Sequence, residues 1–155
     1  SHWRIKKDVV FTHLTDSFEI KRFTNEARRM ILNSDQKLCI WSGKKYNVEN
    51  LCIDHVLPIS VFHSNDLWNL MPSTAYWNGK KSDKIPSVER FQNAKSRIIN
   101  CWDFYFEMNQ EKFTDQIQVA LTGTLPENGW QEFAFEALVE KSKYLIDKRS
   151  LSVWS

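Results

Sequence analysis

Between Leu51 and Lys81 the chain is punctuated closely enough to restrict its local fold severely. Leu51-Cys52-Ile53-Asp54 has strand character, and Pro58 lies just beyond it. The polar stretch up to Asp66, which contains His63 and Asn65, reads as an irregular loop. Leu67 to Met71 can form a returning strand closed by Pro72. Ser73 or Thr74 can then cap a helix running from Ala75 to about Lys81. Strand, loop, strand and helix thus follow one another within about thirty residues.

The flanks read as mostly helical. Val9-Val10-Phe11 is a short strand-like run. From Thr24, a plausible cap, to Asn33 the pattern is helical, with Ala27, Met30 and Ile31 on one side and Arg22, Arg28 and Arg29 mostly on the other. Ser42-Gly43-Lys44-Lys45 reads as a turn. After Pro86-Ser87 a helix is expected from Val88 to about Phe106, with Phe91, Ala94, Ile98 and Cys101 or Trp102 along one side. Another should span Phe113 to Leu121 and end at Gly123. A last one should run from Trp130 to about Ile146, with Trp130, Phe133, Ala134, Ala137, Leu138 and Lys141 in register. The expected class is α+β, a small hairpin-plus-helix unit embedded in a mostly helical domain. All 155 residues form one domain in this reading, with a lead-in over 16–36, a core over 37–84 and helical support over 87–149.

Hydrophobic content of 42% and aromatic content of 14% argue against disorder. Seven tryptophans suit either a base-stacking surface, a domain interface or a crowded aromatic core. The net charge of +2 permits nucleic-acid binding without indicating it. Lys80, Lys81 and Lys84 concentrate positive charge beside the hairpin, while the segment from Glu107 to Glu140 is acidic. The lysines read either as a local phosphate-binding face or as a solvated helix end. Cys39, Cys52 and Cys101 form no C-x-x-C pair, which fits a reducing compartment and gives no zinc knuckle. Nothing approaches the roughly 18 apolar residues of a membrane span. The expected setting is cytoplasmic and bacterial. If the opening Ser1-His2 is foreign to the natural chain, one module of a longer protein is the expectation.

The chemistry-bearing residues cluster in the hairpin. Asp54 and Asn78 supply hard oxygens suited to one divalent cation that keeps several waters, Mg2+ ahead of Mn2+ or another divalent ion. Such an ion polarises a phosphoryl group and stabilises the leaving oxygen. His55, beside Asp54, has the ordinary pKa of a general base for water. Asn69 can brace the loop around His55 by bonding its backbone. Lys80, Lys81, Lys84 and His63 are candidates for contact with phosphate or nucleic acid, although an ordinary exposed histidine is the simpler account of His63, and His13 reads as structural or surface. The same residues taken singly suit duller duties: Asp54-His55 a surface hydrogen-bonded pair, the two asparagines turn and cap residues.

The segments Asp54-His55-Val56-Leu57-Pro58, Asn65-Asp66-Leu67-Trp68-Asn69-Leu70 and Tyr76-Trp77-Asn78-Gly79-Lys80-Lys81-Ser82-Asp83 closely resemble the HNH, or ββα-metal, nuclease family. The resemblance covers about residues 37 to 84. It is strongest to the branch with aspartate first and asparagine last, as in the HNH domain of RNA-guided CRISPR effectors. The intervals of 14 residues from His55 to Asn69 and 9 from Asn69 to Asn78 agree with that branch. It implies metal binding by Asp54 and Asn78, a general-base role for His55 and a bracing role for Asn69. The implied activity is cleavage of DNA, more rarely RNA, leaving a 5′ phosphate, in a restriction or antiphage setting. Cys39-Ile40-Trp41-Ser42-Gly43 looks like a zinc knuckle lacking its second cysteine, which makes structural zinc doubtful. Double-stranded DNA is the expected partner, with specificity supplied by other domains or subunits. One site nicks one strand, and a homodimer would supply a second. A non-catalytic nucleic-acid-binding or partner-docking module is the alternative.

Overall fold

In the computed structural model, which describes the backbone of residues 2–155 and the side chains of residues 17–155, β1 (Leu51–His55) runs antiparallel to β2 (Leu70–Thr74). The register sets Cys52 against Ser73, Asp54 against Met71 and His55 against Leu70. The connecting loop contains a short helix, α2 (Ile59–Phe62), and a 3-10 turn over Leu67–Asn69. The returning strand therefore starts later than the sequence suggests, and Pro72 lies within it. Its carbonyl accepts from Ile40 N at 3.0 Å, on the side away from β1. In an antiparallel ladder a residue's N–H and C=O point the same way, so the missing proline N–H costs no β1–β2 bond. Helix α3 (Ala75–Lys81) follows at once, with Thr74 Oγ1 accepting from Trp77 N at 3.3 Å as its cap.

Ahead of the hairpin lies α1 (His2–Leu32). Thr24 does not begin it. It sits within the helix, where its hydroxyl donates to the Ile20 carbonyl at 2.9 Å, the usual outlet for a threonine in a helix interior. Ala27 and Ile31, four apart on one face, are buried. Arg28 donates to the carbonyls of Val48 and Leu51, fixing α1 against the start of β1. The side chains of the expected strand run Val9–Phe11 and of His13 lie outside the described residues; the backbone there belongs to α1.

Behind the hairpin come β3 (Ile85–Pro86), α4 (Val88–Met108), α5 (Gln110–Ile117) with a π-helical turn over Gln118–Thr122, α6 (Trp130–Arg149) and β4 (Val153–Trp154). Ser87 caps α4, which buries Phe91, Ala94, Ile98, Cys101, Trp102 and Tyr105, the expected face. Two polar tips on that face reach hairpin backbone. Trp102 Nε1 donates to Trp68 O at 2.8 Å and Tyr105 OH to Leu70 O at 2.7 Å, so both neighbours of Asn69 are pinned from behind. Helix α6 buries only part of the expected face, which is rotated toward Phe135. Phe133 is largely exposed, while Phe135, Val139 and Leu145 are buried with Trp130, Ala134 and Leu138. The chain returns through β4, parallel to β3, with Pro86 opposite Trp154. The architecture is thus a small ββα unit within a mostly helical domain. Among the described residues no helix is long and apolar enough to cross a membrane.

Candidate active site

Asp54, the fourth residue of β1, is almost fully buried. One carboxylate oxygen accepts from Trp41 Nε1 at 2.7 Å, and the other from Lys81 Nζ at 3.2 Å. Trp41 comes from the Cys39–Lys44 turn, where Gly43 adopts φ +70° and Cys39 N donates to Lys44 O. Burial pushes the Asp54 carboxyl above the ordinary carboxylate range, and the Lys81 ammonium and Trp41 N–H pull it part of the way back.

The structure corrects the reading of Lys81 as a phosphate contact. The residue is 1% exposed, and its ammonium donates to Asp54 and, at 2.7 Å, to the His55 carbonyl. An ammonium enclosed in this way cannot also meet a phosphate. Lys81 lies three positions after Asn78 on α3, so the two share the inward side of the helix. Lys80 and Lys84 are exposed, with Lys80 near the Tyr76 ring, and both remain free to meet a polyanion.

His55 closes β1 and is partly buried. Its Nε2 lies 2.9 Å from Asn65 Oδ1. A carboxamide oxygen only accepts, so Nε2 carries the proton. Nδ1 then has a lone pair, with no hydrogen-bond partner among the described residues. Burial lowers the His55 pKa and Lys81 adds to that, while Asn65 and Asp54 oppose it. Burial and Lys81 both favour the neutral imidazole, the form a base requires. Asn69 holds the loop that carries Asn65. Fully buried, it accepts from Leu57 N at 2.8 Å and donates to the carbonyls of Leu57 and Ser64, each at 3.0 Å.

Asn78 projects from α3 toward β1, where its Nδ2 donates to Cys52 Sγ at 3.2 Å. Its carbonyl oxygen has no donor among the described residues. Asp54, His55 and Asn78 line one cleft of about 170 Å3, together with Ser82 and Asp83. Ser82 has φ +53° and ψ −134°, a conformation uncommon for a residue with a Cβ. It turns the chain out of α3 beneath the cleft, and Lys84 N closes the turn on Lys81 O. His63 is not brought to this cleft. It ends α2 in the left-handed region and lines a neighbouring hollow with Glu19, Ile20, Ile59 and Asn65.

A buried carboxylate oxygen, an unengaged amide oxygen and room for water suit a hard divalent ion that keeps much of its hydration. Among the described residues no group of three or more His, Cys, Asp and Glu side chains is placed to hold a metal. Cys39 packs in the core with its sulfur 3.7 Å from Ser73 Oγ, and Cys101 is buried on the inner face of α4.

Three partners were not singled out by sequence reasoning, Trp41 on Asp54, Asn65 on His55 and Cys52 on Asn78, and a fourth, Lys81 on Asp54, was read there only as a phosphate contact. Only Lys81 left a local signal, its phase relative to Asn78.

Residues 39–87 match the model of a protein family described as HNH endonuclease. The matched stretch begins at the Cys39 turn and ends at the cap of α4, so it contains the whole cleft. It supports a nuclease-type role at the level of the family and not of one branch. No curated protein sequence matches the chain.

Proposed function

We propose that this domain is a divalent-cation-dependent endonuclease acting on double-stranded DNA. The observation that carries the reading is one cleft lined by an oriented imidazole, a buried carboxylate and an unengaged amide oxygen. Asp54 and Asn78 would hold the cation, Mg2+ or Mn2+, which when bound supplies charge to the scissile phosphate and the departing 3′ oxygen. His55 takes the proton of the attacking water on Nδ1, since Nε2 is committed to Asn65. Asn65 sets the tautomer, and Asn69 keeps Asn65 in reach by bonding the loop backbone at Leu57 and Ser64. Trp41 and Lys81 fix the Asp54 carboxylate. Lys80 and Lys84 give the phosphate backbone a positive surface near the cleft.

The closed Asp54–Lys81 pair favours a second reading, a module that keeps the fold and binds nucleic acid without cutting it. Plasmid nicking separates the two. Wild type should nick only with Mg2+ or Mn2+. His55→Ala should lose at least about a hundredfold in rate, the low end of a general base's contribution, while still binding DNA and Mn2+. Equal nicking by both proteins would remove His55 from the reaction, and no nicking by wild type would favour the binding module.

A further inference from the structure

We infer that Cys52 is a positioning residue of the cleft, its sulfur holding the Asn78 amide so that the carbonyl oxygen is the atom offered to a divalent cation. The inference rests on the metal-dependent reading above and adds to it a residue that does not itself line the cleft.

Cys52 and Asp54 are two apart on β1 and so lie on the same side of the strand. Helix α3 lays Asn78 across that side, and the amide nitrogen donates to the Cys52 sulfur at 3.2 Å. The nitrogen and oxygen of a carboxamide diverge from one carbon, so fixing the nitrogen on sulfur directs the oxygen elsewhere. The terminal torsion of an asparagine is broad and close to two-fold. Left free, it would turn N–H donors toward a cation about as readily as its oxygen. Ligand-orienting partners of this kind tune metal sites elsewhere. Here each proposed ligand has its own: Trp41 and Lys81 for Asp54, Cys52 for Asn78. The other cysteines, Cys39 and Cys101, are buried, whereas Cys52 is half-buried beside the cleft wall.

The test compares wild type, Cys52→Ala, Cys52→Ser and Asp54→Ala. Mn2+ binding is read by the electron-spin resonance of free Mn2+, nicking is read against Mg2+ concentration, and melting is recorded without metal. Cys52→Ala should weaken Mn2+ binding by about tenfold and raise the half-saturating Mg2+ by the same factor. The loss should lie in the metal requirement and not in the rate at saturating Mg2+, with little change in Tm. Cys52→Ser, whose hydroxyl can accept the same bond, should recover most of the affinity. Unchanged Mn2+ binding in Cys52→Ala, alongside its loss in Asp54→Ala, would overturn the role of Cys52 and leave the metal-dependent reading intact. Tighter binding in Cys52→Ala would overturn it by showing that the thiol draws the amide away from the ion. Equal losses in the alanine and serine variants with a matching fall in Tm would overturn it in favour of plain packing. Failure of wild type to bind Mn2+ would overturn the metal-dependent reading and this inference together.

Discussion

Replacing Lys81 by methionine tests the electrostatics of the cleft directly. The substitution keeps most of the side-chain volume and removes one buried ammonium. Two acceptors lose their donor: Asp54 Oδ1 and the His55 carbonyl, at 3.2 and 2.7 Å. Asp54 is 3% exposed, so water replaces the lost partner poorly, and only Trp41 still donates to the carboxylate. Breaking a buried ion pair from one side costs about 3–5 kcal/mol. An orphaned carbonyl alone costs about 1–3 kcal/mol. The two penalties overlap, so the expected loss is about 4 kcal/mol, a large part of the roughly 5–15 kcal/mol that holds a domain together. Urea unfolding followed by tryptophan fluorescence measures it. Burial already raises the Asp54 pKa, and removing Lys81 takes away the strongest opposing influence. A raised carboxyl pKa favours the folded state below the unfolded value and loses that support as pH climbs through the folded one. The loss should therefore be smaller at pH 4 than at pH 7. The double variant Asp54→Asn with Lys81→Met, which has no charge left to strand, should regain stability. A loss below about 1 kcal/mol at pH 7 with an unchanged denaturant slope would refute the reasoning, since it would mean that the carboxylate is solvated or already neutral.

Two further outcomes are expected. Asn69→Ala removes three buried hydrogen bonds to the loop backbone and should cost about 3 kcal/mol at roughly 1 kcal/mol each, with faster proteolysis between Val56 and Asp66; unchanged urea unfolding would contradict it. His55 has a lowered pKa in the fold, so its contribution to stability is complete above the unfolded value of about 6.5 and is lost as pH falls through the folded value. Unfolding free energy measured from pH 8 to pH 5 should decline on the acid side, less steeply in His55→Phe, and an identical decline in both proteins would rule out this residue as the source.

The hairpin and α3 were legible because turn residues and a capping threonine announce them locally. Helix α4 was legible because its apolar residues repeat at helical spacing. Thr24 misled because a threonine hydroxyl satisfies a helix interior as readily as a helix start. The error over Lys81 arose from counting charge without phase. Lys80 and Lys84 are four apart and both exposed, whereas Lys81 lies about 100° further round α3, on the side of Asn78. Helix α6 carries apolar residues around much of its circumference, so its own sequence does not choose between Phe133 and Phe135; packing against α4 and β3 does. His55, Asn69, Asp54 and Asn78 could be read as a set from spacing. Their partners Trp41, Asn65 and Cys52 could not, because those pairings are made by the folded backbone.

The short β3–β4 ladder has a reach beyond its size. Trp154 sets its ring edge-on against Trp41 at 5.2 Å, and the Arg90 guanidinium lies over the Trp154 ring, 4.0 Å from its centroid, while binding the Ser155 carbonyl. Trp41 in turn grips the Asp54 carboxylate. Two links therefore join the far end of the described chain to the deepest group of the cleft. A change at Trp154 reaches the Asp54 carboxylate through one intervening ring.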